Sequence, residues 1–339
     1  MAVNVRRLLI LGALSALLVA VGLLVARTVD LMPEQASDRA VLVDELFRWM
    51  LGVATVIFLI VQGALVYAVV RFRRRPGDES DGPPLHGDAR LEFIWTLIPA
   101  VIVVVIAVYS FRVLAASERP AEGPLIVEVV ARQFSWQFRY PGSEVVSEVL
   151  HLPVDRPALL RVTSEDVIHS FWVPAFRLKQ DATPGRLAEV AVTPIQLGTF
   201  PVRCAELCGP AHHAMTTQVI VESGEDFAVW LAGEHARRTG PQDAGTAGRD
   251  LFNRYGCQAC HALADAGAAG VLGPSLEDIG EAAAGRVPGL SAYDYLRQAI
   301  ADPGATLVPG FAAGLMPADF GERLTAQELD LLVRYLLER

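Results

Sequence analysis

Cys204-Ala205-Glu206-Leu207-Cys208-Gly209-Pro210-Ala211-His212-His213-Ala214-Met215 sets two thiols, two adjacent imidazoles and a thioether within twelve residues. The run follows directly on Thr199–Arg203, which reads as a strand. Thiolate and imidazole with an axial thioether select copper, whereas four-coordinate zinc takes Cys and His without Met. A further ligand source lies upstream: His169, in Asp166-Val-Ile-His-Ser-Phe-Trp-Val-Pro174, falls between two strand candidates and can be brought alongside by a barrel. Two cysteines, two histidines and one methionine exceed the set of a single blue-copper ion and suit two copper ions bridged by the sulfurs. His213 stays open as an alternative to His212. A Cys204–Cys208 disulfide would leave the spacing of His212 and Met215 unexplained.

Around this loop the chain consists of short β-branched runs separated by Gly, Pro and Asp. Leu125–Ala131, Phe134–Tyr140, Ala158–Ser164, Ala188–Thr193, Thr199–Arg203 and Thr216–Val221 read as strands, with turns at Pro141-Gly142, Thr183-Pro184-Gly185 and Leu197-Gly198. Strands so spaced, without intervening helices, predict an all-β sandwich or Greek-key barrel. Glu225–Ala232 reads as a short closing helix. His151 and His235 fall outside any motif and read as polar surface residues.

N-terminal to the β region the sequence changes solvent. Hydrophobic residues make up 52% of the 339, mean hydropathy is +0.36 and charged residues reach only 20%, which points to a membrane portion. Leu8–Ala26, Trp49–Val70 and Phe93–Phe111 are each long and apolar enough to cross a bilayer, which takes about 20 residues. The first follows Arg6 and Arg7 and has the layout of a signal peptide or of an extra transmembrane helix. Arg71, Arg73, Arg74 and Arg75 lie between the second and third spans, and the positive-inside rule puts them in the cytoplasm, with everything after Phe111 outside. In residues 116–339, 18 Lys/Arg stand against 28 Asp/Glu, an excess of ten acids. Such a surface argues against nucleic acid and leaves basic protein partners open.

Beyond Gly233–Gly245, which reads as a linker, comes a helix candidate, Gly248–Tyr255, and then Cys257-Gln-Ala-Cys260-His261. C-x-x-C-H is the c-type haem attachment signature: both thiols add to the vinyl groups and the adjacent imidazole becomes an axial ligand. Residues 240–339 contain no histidine besides His261 and no methionine besides Met316, which makes Met316 the natural sixth ligand. A thioredoxin-like reading would need a βαβ context, which is absent. Helices at Gly248–Tyr255, Ser291–Ala301 and Thr325–Glu338, the last opening on the capping box Thr325-Ala-Gln-Glu328, suit a small all-α domain. Gly273-Pro274-Ser-Leu276 resembles the turn that lays a proline against haem in cytochromes c.

The Cys-x-Glu-x-Cys-Gly-x-x-His-x-x-Met loop, Asp166–Pro174 and Lys179-Gln-Asp-Ala-Thr-Pro-Gly-Arg186 together resemble cytochrome c oxidase subunit II over residues 41–232, and residues 247–339 resemble cytochrome c. The resemblance implies a dinuclear copper centre (CuA) in which Cys204 and Cys208 bridge the metals, His169 and His212 each bind one, Met215 is a weak axial ligand and Glu206 gives its carbonyl to copper, its side chain being a candidate for magnesium. It implies a proton-entry role for Glu92, in Glu92-Phe-Ile-Trp95. It also points to Phe134 and Trp136 for electron entry, although the first is tryptophan in mitochondrial-type subunits. The expected architecture is a signal peptide or extra helix over 1–30, a transmembrane helical hairpin over 41–115, a cupredoxin-like Greek-key copper domain over 120–232, a linker over 233–245 and an all-α cytochrome c domain over 246–339. The implied role is electron entry to a proton-pumping haem-copper oxidase of the caa type in a bacterial inner membrane, with its redox domains on the periplasmic side. Its implied partners are subunits I and III, with cytochrome c or a cytochrome bc complex as donor; oxygen is reduced in subunit I. The small subunit of a copper-containing nitric oxide reductase and, in another class, a membrane-anchored copper-delivery protein are the competing readings.

Overall fold

A computed structural model of the chain describes residues 5–74, 77, 87–118, 122–239 and 243–339. Arg75 of the basic cluster and residues 240–242 of the expected linker lie outside the described residues. The chain divides into two compact units, one of Met1–Glu34 with Val41–Arg119 and the other of Gln35–Ala40 with Pro120–Arg339.

The first unit is helical: α1 (Val5–Thr28), α2 (Asp38–Phe72, whose first turn belongs to the other unit) and α3 (Ala89–Ser117). Only α2 and α3 pass, among the described residues, as helices long and apolar enough to cross a membrane, and their apolar side chains face outward as a lipid solvent requires. Asp88 caps α3, its carboxylate accepting from the backbone N–H groups of Arg90 and Leu91. Trp49 meets Tyr109 edge to face at 5.8 Å between α2 and α3. Helix α1 crosses α2 backbone to backbone: a Cβ on Gly22 would lie 2.7 Å from Val56 Cγ2 and 3.0 Å from Gly52 O, and one on Gly52 would lie 3.3 Å from Ala26 Cβ. Small residues at such a crossing let two helices gain dispersion contacts that lipid cannot supply.

The second unit opens with two five-stranded sheets. One has β1 (Leu125–Arg132), β2 (Ser135–Tyr140), β3 (Val145–Ser147), β5 (Ala158–Ser164) and β8 (Ala188–Val192), in the order β3-β2-β1-β5-β8. The other has β4 (Leu150–Pro153), β6 (His169–Val173), β7 (Leu178–Ala182), β9 (Gly198–Cys204) and β10 (Thr216–Glu222), in the order β4-β10-β9-β6-β7. Pairing is antiparallel except for β1 with β5 and β10 with β4. Alternation along β5, buried at Ala158, Leu160, Val162 and Ser164, sends one face of that strand into a core shared by both sheets. Phe171 sits at its centre, edge to face with Trp136 at 5.4 Å and with Phe138 at 6.1 Å. The segment before α2 is sewn to the sandwich: Ala36 N donates to Ala175 O, and Ser37 Oγ to Phe176 O.

The sandwich closes with α4 (Gly224–Thr239), which runs seven residues past Ala232 into the stretch read as a linker. Arg237 explains the continuation, since it pairs with Glu234 one turn back and with Asp250 beyond the helix. His151 is no surface residue. Its ring stacks on Trp230 of α4 at 3.8 Å, and Nδ1 lies 2.9 Å from Glu222 Oε1. His235 is exposed, with Nδ1 donating to Ser143 O.

The C-terminal part is helical: α5 (Ala244–Arg254), α6 (Ile279–Ala283), α7 (Ala292–Ala301), α8 (Phe320–Arg323) and α9 (Ala326–Leu337), with a two-residue hairpin of β11 (Ala262–Leu263) and β12 (Ala268–Ala269). Asp243, Ser291 and Thr325 cap α5, α7 and α9, and Thr325 with Glu328 forms the predicted capping box. Helices α5 and α9 cross at Gly248, where a Cβ would lie 2.2 Å from Tyr335 Cβ. Only a glycine admits the ring there, and Phe252, Leu332, Val333 and Tyr335 fill the crossing.

Candidate functional site

The loop between β9 and β10 is a hairpin whose neck is closed by the Cys204 N–H donating to Met215 O at 3.1 Å. Strand β6 lies beside β9 with Phe171 opposite Cys204, and the Ala205 N–H donates to Ser170 O. This register sets His169, at the start of β6, against the cysteine that ends β9. The sulfurs of Cys204 and Cys208 are 3.9 Å apart and both cysteines are free, so no disulfide joins them. His169 Nδ1 is 3.8 Å from Cys204 Sγ, while His212 Nδ1 is 3.4 Å and Met215 Sδ 3.8 Å from Cys208 Sγ. The Glu206 carbonyl lies 3.2 Å from Cys204 Sγ, and the Glu206 side chain is exposed. His213 is exposed and lines a different cavity. Histidine, cysteines and thioether thus converge on one buried spot, where the donor atoms of His169, Cys204 and Cys208 lie within 4.8 Å of one another.

Charge in this pocket is arranged for cations. The hydrogen bond from the Cys208 thiol draws the Cys204 thiol far below its ordinary range, against burial and with help from His169; sharing the same proton pushes Cys208 up. A soft cation releases such a proton and neutralises a thiolate pair that burial alone would disfavour. Sequence reasoning missed the groups behind the ligands. Asp166 Oδ1 accepts from His169 Nε2 at 2.8 Å, which fixes the ring with Nδ1 toward the sulfurs, and the same carboxylate accepts from the Gln133 and Val167 N–H groups at 2.6 Å. Burial opposes ionisation of Asp166, but these donors outweigh it and hold its carboxyl below the usual range. Its signal was present as an acid three residues before the histidine.

The other two site candidates of the β domain are interior. Phe134 is 5% and Trp136 2% exposed, and the Trp136 indole lies edge to face with the His169 ring at 6.2 Å. Neither offers a face to a soluble donor. Glu92 occupies the exposed first turn of α3, where its charge suits the helix N-terminus.

In the helical part Cys257, Cys260, His261 and Met316 line one cavity of about 240 Å³, walled by apolar side chains that include Tyr255, Leu296, Ile300 and Phe311. His261 Nδ1 donates to Pro274 O at 2.8 Å, which leaves Nε2 as the nitrogen free to bind iron. Burial pushes His261 down, keeping the imidazole neutral, and pushes the Cys257 thiol up to about 12. A Cβ on Gly273 would lie 2.6 Å from His261 Cε1, so glycine is what lets the ring stand where it does. An apolar slot with two thiols and a neutral imidazole fits a covalently attached haem, as the thiol, imidazole and thioether pocket fits copper.

Matches to known families agree with these two constructions. The family models for cytochrome C oxidase subunit II match at residues 26–113 (transmembrane domain) and 142–223 (periplasmic domain), and that for cytochrome c matches at 245–339. Cytochrome c oxidase subunit 2 of Thermostichus vulcanus is 40% identical over 264 residues, spanning 62% of this chain and 80% of the relative. That of Synechocystis sp. is 37% identical over 249 residues, 60% of this chain and 75% of the relative. The solved periplasmic domain of subunit II from Bradyrhizobium japonicum is 30% identical and covers 34% of this chain and 96% of its own, with a TM-score of 0.32. A membrane-anchored electron-transfer subunit, with a cupredoxin-like copper domain followed by a cytochrome c domain, is the class so defined. Within it, the chain belongs to the cytochrome c oxidase subunit II family, as a form fused to cytochrome c, and so to a haem-copper oxidase whose subunit I is its partner.

Proposed function

We propose that this chain relays electrons from an external donor through its own haem c to a dinuclear copper centre and on to subunit I, where oxygen is reduced and protons are pumped. The observation that carries the reading is the presence of both donor sets in one compact unit. Cys204 and Cys208 would supply thiolates, His169 and His212 imidazoles, and Met215 and the Glu206 carbonyl the weaker ligands to the copper, and Cys257, Cys260, His261 and Met316 would hold the haem. When bound, these groups supply reversible one-electron chemistry, and thioether ligation raises the haem potential toward that of an oxidant such as oxygen. The protein's part is to keep each ligand set in one geometry: Asp166 orients His169, Pro274 orients His261, and the buried sulfurs exclude water.

Glu92 takes up protons at the cytoplasmic mouth of α3, and the Glu206 carboxylate, exposed on the copper loop, would be the residue to hold a magnesium ion. The chain sits in a bacterial inner membrane with Arg71, Arg73 and Arg74 on the cytoplasmic side and both redox domains in the periplasm, beside subunit III. The copper domain is taken as 120–232 and the haem domain as 246–339. In the intact oxidase, Cys204→Ser leaves the haem c absorption bands in place and abolishes their fast oxidation by oxygen; unchanged oxidation kinetics would refute the relay.

A further inference from the structure

Where the haem-attachment loop meets the sandwich there is a contact that neither ligand set requires. Gly256, immediately before Cys257, has φ 78°, and a Cβ there would lie 3.1 Å from the Phe134 backbone nitrogen and 3.3 Å from Ser135 Oγ. On its other side Phe134 closes on Gly209, immediately after Cys208: a Cβ there would lie 3.0 Å from Phe134 Cζ and 2.7 Å from Gln133 Nε2. Gln133 Nε2 also donates to the carbonyl of Cys208. The wedge is tied down around its edge. Ser135 Oγ and Gln137 Nε2 both donate to Arg254 O, at 3.3 and 3.2 Å, and the Arg132 guanidinium lies 5.2 Å from the Tyr255 ring centre. Ala259 is part of the sandwich core and Cys260 packs against it.

We propose that Phe134 is a positioning residue that holds the haem-attachment loop against the copper loop. Between Cys257 and Cys208 the route then crosses only two non-bonded gaps, Gly256 to Phe134 and Phe134 to Gly209. Both close because neither glycine carries a Cβ. Trp136 is less suited to this part, since its ring packs inside the sandwich, edge to face with His169 at 6.2 Å and with Phe171 at 5.4 Å. The step served moves one electron, oxidising the haem and reducing the copper pair, with no bond made or broken and no proton required. The inference rests on the relay proposed above and adds the side chain that sets its internal spacing.

The test uses the complete oxidase, with Phe134→Leu and Gly256→Val. Electron transfer from photoreduced haem c to copper is timed by absorbance, and hydrogen exchange reads protection of the Ala259, Cys260 and His261 amides, which close the attachment turn. Gly256→Val prises the loop from Phe134, so protection is lost and transfer slows by roughly tenfold or more, as expected for reacting groups displaced by about an ångström. Phe134→Leu leaves the backbone contact with Gly256, and so the protection of the attachment turn, but withdraws the ring from Gly209, so the copper loop is no longer held at that spacing and transfer slows by roughly tenfold. A wild-type rate in Phe134→Leu overturns the proposal, whatever becomes of Gly256→Val. Full protection in Gly256→Val overturns it as well, because the contact would then not be close-packed. The haem and near-infrared copper bands of the unaltered oxidase are recorded first, and absence of either would dismiss the relay itself, a separate failure.

Discussion

Asp166 is the residue whose chemistry is most easily isolated. Its carboxylate touches no sulfur, yet it fixes which nitrogen of His169 faces the sulfurs, and removing its charge leaves the ring free to turn. Outer partners of this kind contribute about 10–100-fold to metal affinity. Asp166→Asn is therefore expected to lower copper retention by that order, measured by chelator competition on the intact complex, while the haem bands stay unchanged. Retention equal to wild type would show that the ring is held by packing against Trp136 alone.

At the scale of elements, Asp265 joins the helices of the haem domain. Tyr335 of α9 donates to it at 2.7 Å, and Arg249 of α5 and Arg339 both approach at 3.2 Å. The Tyr335 hydrogen bond, followed by the charges of Arg339 and Arg249, holds its carboxyl below the usual range. Because the folded value is depressed, its stabilisation is present above the unfolded value of about 3.9 and is lost as pH falls through the lower folded value. Thermal unfolding of the full chain, followed from neutral pH down through about pH 3, should show Asp265→Asn melting earlier than wild type near neutrality, with the two converging in acid. A constant difference at all pH values would point to lost packing instead. Elements with a strong period or a cap were legible in sequence: β5 alternates, and α9 begins with its capping box. Strands β3 and β4 are three and four residues long, and β7, Leu-Lys-Gln-Asp-Ala, is too polar to read as a strand. Strand β6 is buried on both faces at His169, Ser170 and Phe171, so it shows no alternation, and this hid the strand that carries a ligand. The loop ligands were legible because thiols, imidazoles and a thioether are rare enough for spacing to speak. Gln133 and Gly256 were not, since their parts depend on contacts with residues 75 and more positions away in the chain.

For the whole molecule, charge and connection decide how electrons arrive. An excess of ten acids over residues 116–339 favours a donor with a basic face, and its association rate should fall as salt rises through a Debye length of about 10 Å at 0.1 M. Stopped-flow reduction of haem c by a cationic cytochrome at increasing ionic strength tests this; a flat profile would count against electrostatic steering. Helix α4 has a further consequence. It reaches Thr239 and Asp243 already caps α5, so only three residues, 240–242, join the two helices. The four steps from Thr239 to Asp243 span about 14 Å at full stretch, comparable to the roughly 13 Å radius of gyration of a 100-residue domain and room for only a small shift. On so short a leash the carrier cannot wander to a neighbouring oxidase. Under the proposed relay each complex keeps a private courier, and turnover should be indifferent to how densely the complexes crowd the bilayer.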